Sequence, residues 1–209
     1  MCIIAVKKAG MPLFPEETIR TMFKKNADGA GVMWAEDGKV HIRKGFMKVP
    51  ELLEFLNSRD WTDVPLVLHC RIGTSGLMDE KNCHPYPIRK QNSVDCECDL
   101  AVAHNGILQG YTPSHKSTKN DTQMFISKVL NKLPKRFLKN EAICELLDEA
   151  LGYNKLVFLD KDGNIYLRGG NKGASFINDD GYIYTNTSYK ESTWNSSYGG
   201  CAYYPTKLF

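Results

Sequence analysis

Residues 65–76 read Pro65-Leu66-Val67-Leu68-His69-Cys70-Arg71-Ile72-Gly73-Thr74-Ser75-Gly76. The unbroken apolar run predicts a strand over 65–71 covered on both faces, since a half-exposed strand would alternate apolar with polar residues. A two-faced strand requires layers above and below it. Outward from this stretch, Cys2-Ile3-Ile4-Ala5-Val6 reads as a second short buried strand. Residues 32–35 and 40–44 form a hairpin around Glu36-Asp37-Gly38. A strand at 100–103 follows, and the last third is β-rich, with strands at 156–159, 165–167, 174–177 and 182–184 separated by Asp/Asn/Gly turns. Helices are expected from Pro15 to about Lys25, over 50–56, over 121–133 and over 140–151, the first opened by Pro and two acids. Residues 72–98 read as one long polar loop, a length that points to function. Strands run together while helices come in separate pairs, so the class is α+β.

The chain of 209 residues is large enough for a substantial core and is read as a single domain over 1–209. A net charge of +3 gives no electrostatic basis for nucleic-acid binding. No apolar run reaches the roughly 20 residues of a membrane span, and Lys7-Lys8 follow the apolar start where a secretory signal would place them before it. A cytoplasmic protein is expected. Seven cysteines, an odd number spread along the chain, do not read as a disulfide framework.

Chemistry concentrates in short motifs. Cys2 would become the first residue on removal of Met1, joining a thiol to a free α-amine whose reference pKa of about 7.7–8.0 suits a general base. Taken alone, Cys2 reads equally as a small buried strand residue. Four further motifs follow in order: His69-Cys70-Arg71-Ile72-Gly73-Thr74-Ser75-Gly76, Asn82-Cys83-His84-Pro85, Ala103-His104-Asn105-Gly106-Ile107 and Asn120-Asp121-Thr122-Gln123. After an N-terminal Cys, this series resembles the glutaminase domain of class II glutamine amidotransferases, which are N-terminal nucleophile hydrolases. Asn26-Ala27-Asp28-Gly29-Ala30-Gly31 resembles a segment of the smaller, stand-alone members. The matching motifs span residues 2–123.

The resemblance implies an αββα sandwich, two mostly antiparallel sheets between helix layers, and hydrolysis of the glutamine side-chain amide. Cys2 would be the nucleophile. Asn105 through its side-chain amide and Gly106 through its backbone N–H would form the oxyanion hole. Arg71 would grip the substrate α-carboxylate, which its planar fork fits. Asp121 would hold the α-ammonium, while Thr74, Ser75 and Gly76 line the pocket. Plainer roles exist for each: a strand-end salt bridge for Arg71, an Asn-Gly turn for 105–106, a helix cap for Asp121. Asn120 with Gln123 already forms a capping-box pattern, which leaves the Asp121 carboxylate over for a ligand. His84 and His104 would orient loops.

This chain departs from the family pattern at Ile3 (Gly), Ile72 (an aromatic), Gly73 (Ala or Pro) and Gln123 (Glu), which bears on pocket shape. A γ-glutamyl compound other than glutamine, or a non-catalytic binding role, is the competing expectation. Cys83, His84, Cys96 and Cys98 offer soft metal ligands, but their spacing is poor for zinc, and no metal or cofactor is expected. The basic residues Lys132, Lys135, Arg136 and Lys139 read as a solvated loop. The Ser/Asn/Tyr-rich stretch 185–204 reads as a lid or a docking surface. Ammonia would pass to a separate acceptor-binding synthase subunit.

Overall fold

The computed structural model describes residues 2–74, 76–114, 116–169 and 176–191. In chain order the elements are β1 (Ile3–Lys7), α1 (Glu16–Lys25), β2 (Ala30–Glu36), β3 (Lys39–Phe46), α2 (Val49–Asn57), β4 (Leu66–Cys70), β5 (Tyr86–Pro87), β6 (Asp95–Cys98), β7 (Leu100–Asn105), α3 (Asp121–Lys128), α4 (Glu141–Leu151), β8 (Lys155–Asp160), β9 (Ile165–Gly169), β10 (Ile177–Asp179) and β11 (Tyr182–Tyr184). One sheet runs β10-β11-β1-β4-β2-β3-β6 and the other β5-β7-β8-β9. Every recorded strand pairing is antiparallel.

Side-chain alternation builds the layers. Ile3 and Ala5 of β1, with Leu66 and Leu68 of β4, pack against Ile19, Met22 and Phe23 of α1 and Leu52 and Leu56 of α2. Ile4 and Val6 of β1 and Val67 of β4 point the other way, onto Ala101 and Ala103 of β7 and Val157 and Leu159 of β8. The far face of the second sheet, Val102, Leu156 and Phe158, buries Phe125 of α3 and Leu147 and Leu151 of α4. The result is helix, sheet, sheet, helix, the αββα sandwich expected from the sequence. Lys7, wholly buried at the end of β1, donates from Nζ to the carbonyls of Trp61 and Val64, each at 2.6 Å, and so ties β1 to the loop before β4. No helix among the described residues is long and apolar enough to cross a membrane.

Two expectations need correction. Residues 72–98 are not one loop: a 3-10 turn (Glu80–Asn82), β5 and β6 lie inside them. In β6, Asp95-Cys96-Glu97-Cys98 alternates charged residues outward with cysteines inward, an edge-strand pattern too short and too polar to stand out in sequence. The helix expected over 121–133 ends at Lys128. The chain tightens into a 3-10 turn (Leu130–Lys132) that drops Leu130 into the core under the second sheet. The strand expected at 174–177 is Ile177–Asp179; residues 174–175, Ser75, and most of the 185–204 stretch lie outside the described residues.

The loop segment after the 3-10 turn is pinned from beneath. Lys44 on β3 is buried and donates from Nζ to Pro85 O (2.9 Å) and Asn92 Oδ1 (2.6 Å), with its ammonium 3.9 Å from the centre of the Tyr86 ring. Burial lowers its pKa to about 7. Gly31 on β2 lets the His84 carbonyl settle directly on the strand, because a Cβ there would collide with that oxygen and with Lys44. Gly31→Ala should therefore cost about 1–3 kcal/mol by forced repacking. Urea unfolding reads this out, and an unchanged midpoint would contradict it.

Candidate active site

The site forms where β1 begins and β4 and β7 end. Antiparallel pairing sets Ile3 opposite Cys70, which brings Cys2 to the end of β4 beside Arg71 and Ile72. Cys2 Sγ lies 3.3 Å from both the amide nitrogen and the carbonyl oxygen of Ile72, so the backbone N–H can donate to sulfur and the thiol to the carbonyl. Burial raises the Cys2 pKa, opposed by the Ile72 amide and by the Arg71 charge. The sulfur is thus held as a thiol and needs a base to activate it. Ile3, where the family pattern has glycine, is fully buried on the helix-facing side of β1 and does not shape the cleft.

Arg71 is 2% exposed, and its backbone is clamped by Arg71 N–H to Gly29 O (2.8 Å) and Asp28 N–H to Arg71 O (3.0 Å). Asp28 Oδ2 accepts the Gly73 N–H at 2.8 Å. A Cβ on Gly73 would stand 3.2 Å from Arg71 Nη2 and 3.6 Å from Asp28 Oδ2, so the missing side chain keeps guanidinium and carboxylate close. Thr74 is exposed. Gly76 has φ +75 and lies against the start of α3, where a Cβ would meet Asn120 N at 3.1 Å. The 72–76 segment thereby joins Arg71 to the end of α3 that carries Asp121.

At that end the capping box forms as expected: Gln123 N–H donates to Asn120 Oδ1 (3.0 Å) and Asn120 N–H to Gln123 Oε1 (2.9 Å). Glutamine performs the back-bond without the family's glutamate. The Asp121 carboxylate is buried but not idle beside the cap. Its Oδ2 accepts from Leu108 N–H and its Oδ1 from Thr122 N–H, each at 2.8 Å. It stitches the segment after Gly106 to α3. Oδ1 also lies 3.4 Å from Thr122 Oγ1.

Asn105 closes β7, and Gly106 leaves the strand with φ +145. This is no hairpin, since β7 pairs with β8, some fifty residues on. A side chain at Gly106 would strike Asn154 Oδ1, the oxygen that accepts from His104 Nε2 at 2.9 Å. Asn105 Nδ2 lies 2.7 Å from Thr185 Oγ1. Thr185, just past β11, also takes the Ile4 N–H on the same oxygen at 2.9 Å. Asn186 Nδ2 donates to Cys2 O at 2.7 Å. Sequence reasoning missed Asp28, Asn154, Thr185 and Asn186 as site residues. No local motif marks the last two; Thr185 meets Ile4 and Asn186 meets Cys2 only because β11 pairs with β1.

A family model described as glutamine amidotransferases class-II matches residues 18–167. The chain belongs to that family. The match begins after Cys2. Among curated relatives, glutamine–fructose-6-phosphate aminotransferase [isomerizing] of Pyrococcus horikoshii is 30% identical over 46% of this chain and 15% of its own length. The enzyme of the same name from Aquifex aeolicus is 32% identical over 48% and 16%. That from Caldanaerobacter subterraneus is 26% identical over 81% and 28%. The chain thus spans less than a third of the length of these relatives. The solved structure of the allosteric regulatory enzyme of purine biosynthesis superposes on 88% of this chain and 41% of its own with a TM-score of 0.52 at 18% identity, a likeness of fold.

Within this amidotransferase fold, three buried histidines bind the strand ends together. His69 Nε2 donates to His104 O (3.1 Å), and His104 N–H donates to His84 Nδ1 (3.2 Å). His104 Nδ1 pairs with Thr122 Oγ1 at 2.7 Å. The His69 and His84 rings stack with centroids 4.3 Å apart. Burial lowers the pKa of all three, that of His69 to about 3, and each neighbouring ring would repel a second charge. They are neutral scaffolding. Cys83 and His84 do not join Cys96 and Cys98, and no group of three metal-ligating side chains occurs among the described residues.

Because folded-state values lie below the ordinary 6.5, the unfolded chain binds protons that the native state refuses as pH falls. The stability these rings contribute is whole above pH 6.5 and is lost below it, by up to roughly 1 kcal/mol per pH unit for each histidine. The urea midpoint should drop steadily from pH 6.5 to about pH 5. A midpoint flat across that window would mean the rings accept protons in place.

Proposed function

We propose that the chain hydrolyses the side-chain amide of glutamine through Cys2 and delivers the ammonia to an acceptor held by another domain or polypeptide. The observation that carries this is the convergence of Cys2, Arg71 and Asn105-Gly106 at one end of the sandwich in a chain of the class-II amidotransferase family. The relatives named as glutamine–fructose-6-phosphate aminotransferases are several times longer than their matched segment, which fits a glutaminase unit that works beside a synthase. The described residues form one continuous four-layer packing, and residues 1–209 are read as one such unit.

With Met1 removed, the α-amine of Cys2 takes the thiol proton and sulfur attacks the glutamine Cδ. Asn105 Nδ2 and Gly106 N–H hold the oxyanion. Collapse of the tetrahedral adduct breaks the C–N bond as the ammonium formed on Cys2 returns its proton to the leaving nitrogen, giving ammonia and a γ-glutamyl thioester. Water, deprotonated by the same amine, then attacks the thioester, and glutamate departs as the thiol is restored. Arg71 takes the α-carboxylate. Asp121 supplies negative charge for the α-ammonium, and Thr74, Ser75 and Gly76 take the pocket-lining role that the family resemblance implies. Metal ions and cofactors have no part in this scheme.

Cys2→Ala should abolish glutamine hydrolysis and leave the urea midpoint nearly unchanged, since the side chain sits at the edge of the core. Turnover in that variant at the wild-type rate would remove Cys2 from the mechanism. Arg71→Lys loses the bidentate grip and should raise the KM for glutamine roughly 10- to 100-fold, the equivalent of one strong charged hydrogen bond. Steady-state kinetics of the refolding-competent variant test this, and an unchanged KM would place the α-carboxylate elsewhere.

A further inference from the structure

We infer that Thr185 is the positioning residue of the oxyanion site: its hydroxyl donates to Asn105 Oδ1 and thereby turns the Asn105 NH2 toward the substrate. The inference rests on the glutaminase reading of Asn105 and adds a residue from the opposite end of the chain.

The argument is one of hydrogen-bond accounting. A threonine hydroxyl has one proton to give and two lone pairs. Thr185 Oγ1 already accepts the Ile4 N–H at 2.9 Å. With Asn105 Nδ2 also donating to it at 2.7 Å, the hydroxyl proton has no recorded acceptor and Asn105 Oδ1 is buried with no partner among the described residues. Two buried polar functions, a donor and an acceptor in adjacent side chains, would both go unused, each with its desolvation uncompensated. The two ends of a side-chain amide are assigned by the partners they meet. Exchanging the Asn105 oxygen and nitrogen resolves both: the hydroxyl donates to Oδ1 over the same 2.7 Å, and Oγ1 keeps the Ile4 N–H. The NH2 then occupies the buried place that meets no partner among the described residues, and its two protons stay unsatisfied until a ligand supplies an acceptor. An oxyanion is the ligand such a group satisfies.

Thr185 is well anchored for this task. It is 2% exposed, its N–H donates to Ile4 O at 3.1 Å, and its carbonyl accepts from Lys155 Nζ at 2.6 Å. Ile4 lies two residues from the nucleophile, and Lys155 is the β8 residue paired with Asn105. Asn186, the next residue, holds the Cys2 carbonyl. One short segment after β11 therefore fixes both the strand that carries the thiol and the amide that meets the oxyanion, so their relative placement does not depend on the loops.

The test compares Thr185→Val, which keeps the shape and removes the hydroxyl, with Thr185→Ser, which restores it. Thr185→Val should lower kcat for glutamine roughly 10- to 100-fold, less than outright loss of an oxyanion donor, with KM within about twofold. Alkylation of Cys2 by iodoacetamide, which forms no oxyanion, should proceed at the wild-type rate. Thr185→Ser should recover kcat. On an Asn105→Ala background, Thr185→Val should cost less than about a further twofold. A folded Thr185→Val enzyme with unchanged kcat, or one whose loss is fully additive to that of Asn105→Ala, overturns the inference. Neutron diffraction of the wild-type protein decides the point independently of turnover and of whether Thr185→Val folds. A deuteron on Thr185 Oγ1 directed at Asn105 supports the assignment, and an Asn105 ND2 group facing Thr185 overturns it. A wild-type protein that neither hydrolyses glutamine nor reacts at Cys2 with a glutamine-like electrophile would sink the glutaminase reading. The neutron result would still settle the amide orientation.

Discussion

The structure depends on β1 being buried on both faces, with Cys2 held immediately before its first residue, Ile3. A strand covered on two sides is rigid, because its neighbours β4 and β11 supply its hydrogen bonds and two core layers supply its packing. Cys2, at the very end of such a strand, inherits that rigidity without a loop to carry it. The same antiparallel pairing obliges Arg71, at the end of β4, to lie beside it. Cleft, nucleophile and candidate carboxylate ligand are thus consequences of one register.

Desolvation is what this arrangement costs and what it uses. Three imidazoles, a lysine and the nucleophilic thiol are all removed from water near the strand ends, and burial pushes each toward its neutral form. Neutral rings can exchange hydrogen bonds with backbone and hydroxyl groups without the repulsion that charged ones would bring. They hold β4, β7 and the 82–86 segment in fixed relation. In the proposed function, Arg71 and Asp121 meet the two charges of a zwitterionic amino acid at a low effective dielectric.

Much of this was legible along the chain. The apolar runs at 2–6 and 65–71 gave two central strands, the Asn120/Gln123 spacing gave a real capping box, and five short motifs in order gave the family. Polar edge structure was less legible. In β6 the inward residues are cysteines among acids, so its period of two hid inside what read as loop. The Asp121 carboxylate looked surplus to the cap, yet beside the adjacent Thr122 amide it holds that of Leu108, thirteen residues earlier, which reaches it only after folding.

By itself the sequence determined the α+β class, the layer-forming strands and the chemical types available for catalysis, since these follow from periodicity and from what each side chain can do. Tertiary structure alone decided which of those groups meet. Thr185 and Asn186 carry no local signal, and their contact with Ile4 and Cys2 spans the whole chain. It exists because β11 pairs with β1, and long-range register is set by the packing of complete sheets rather than by any segment read alone.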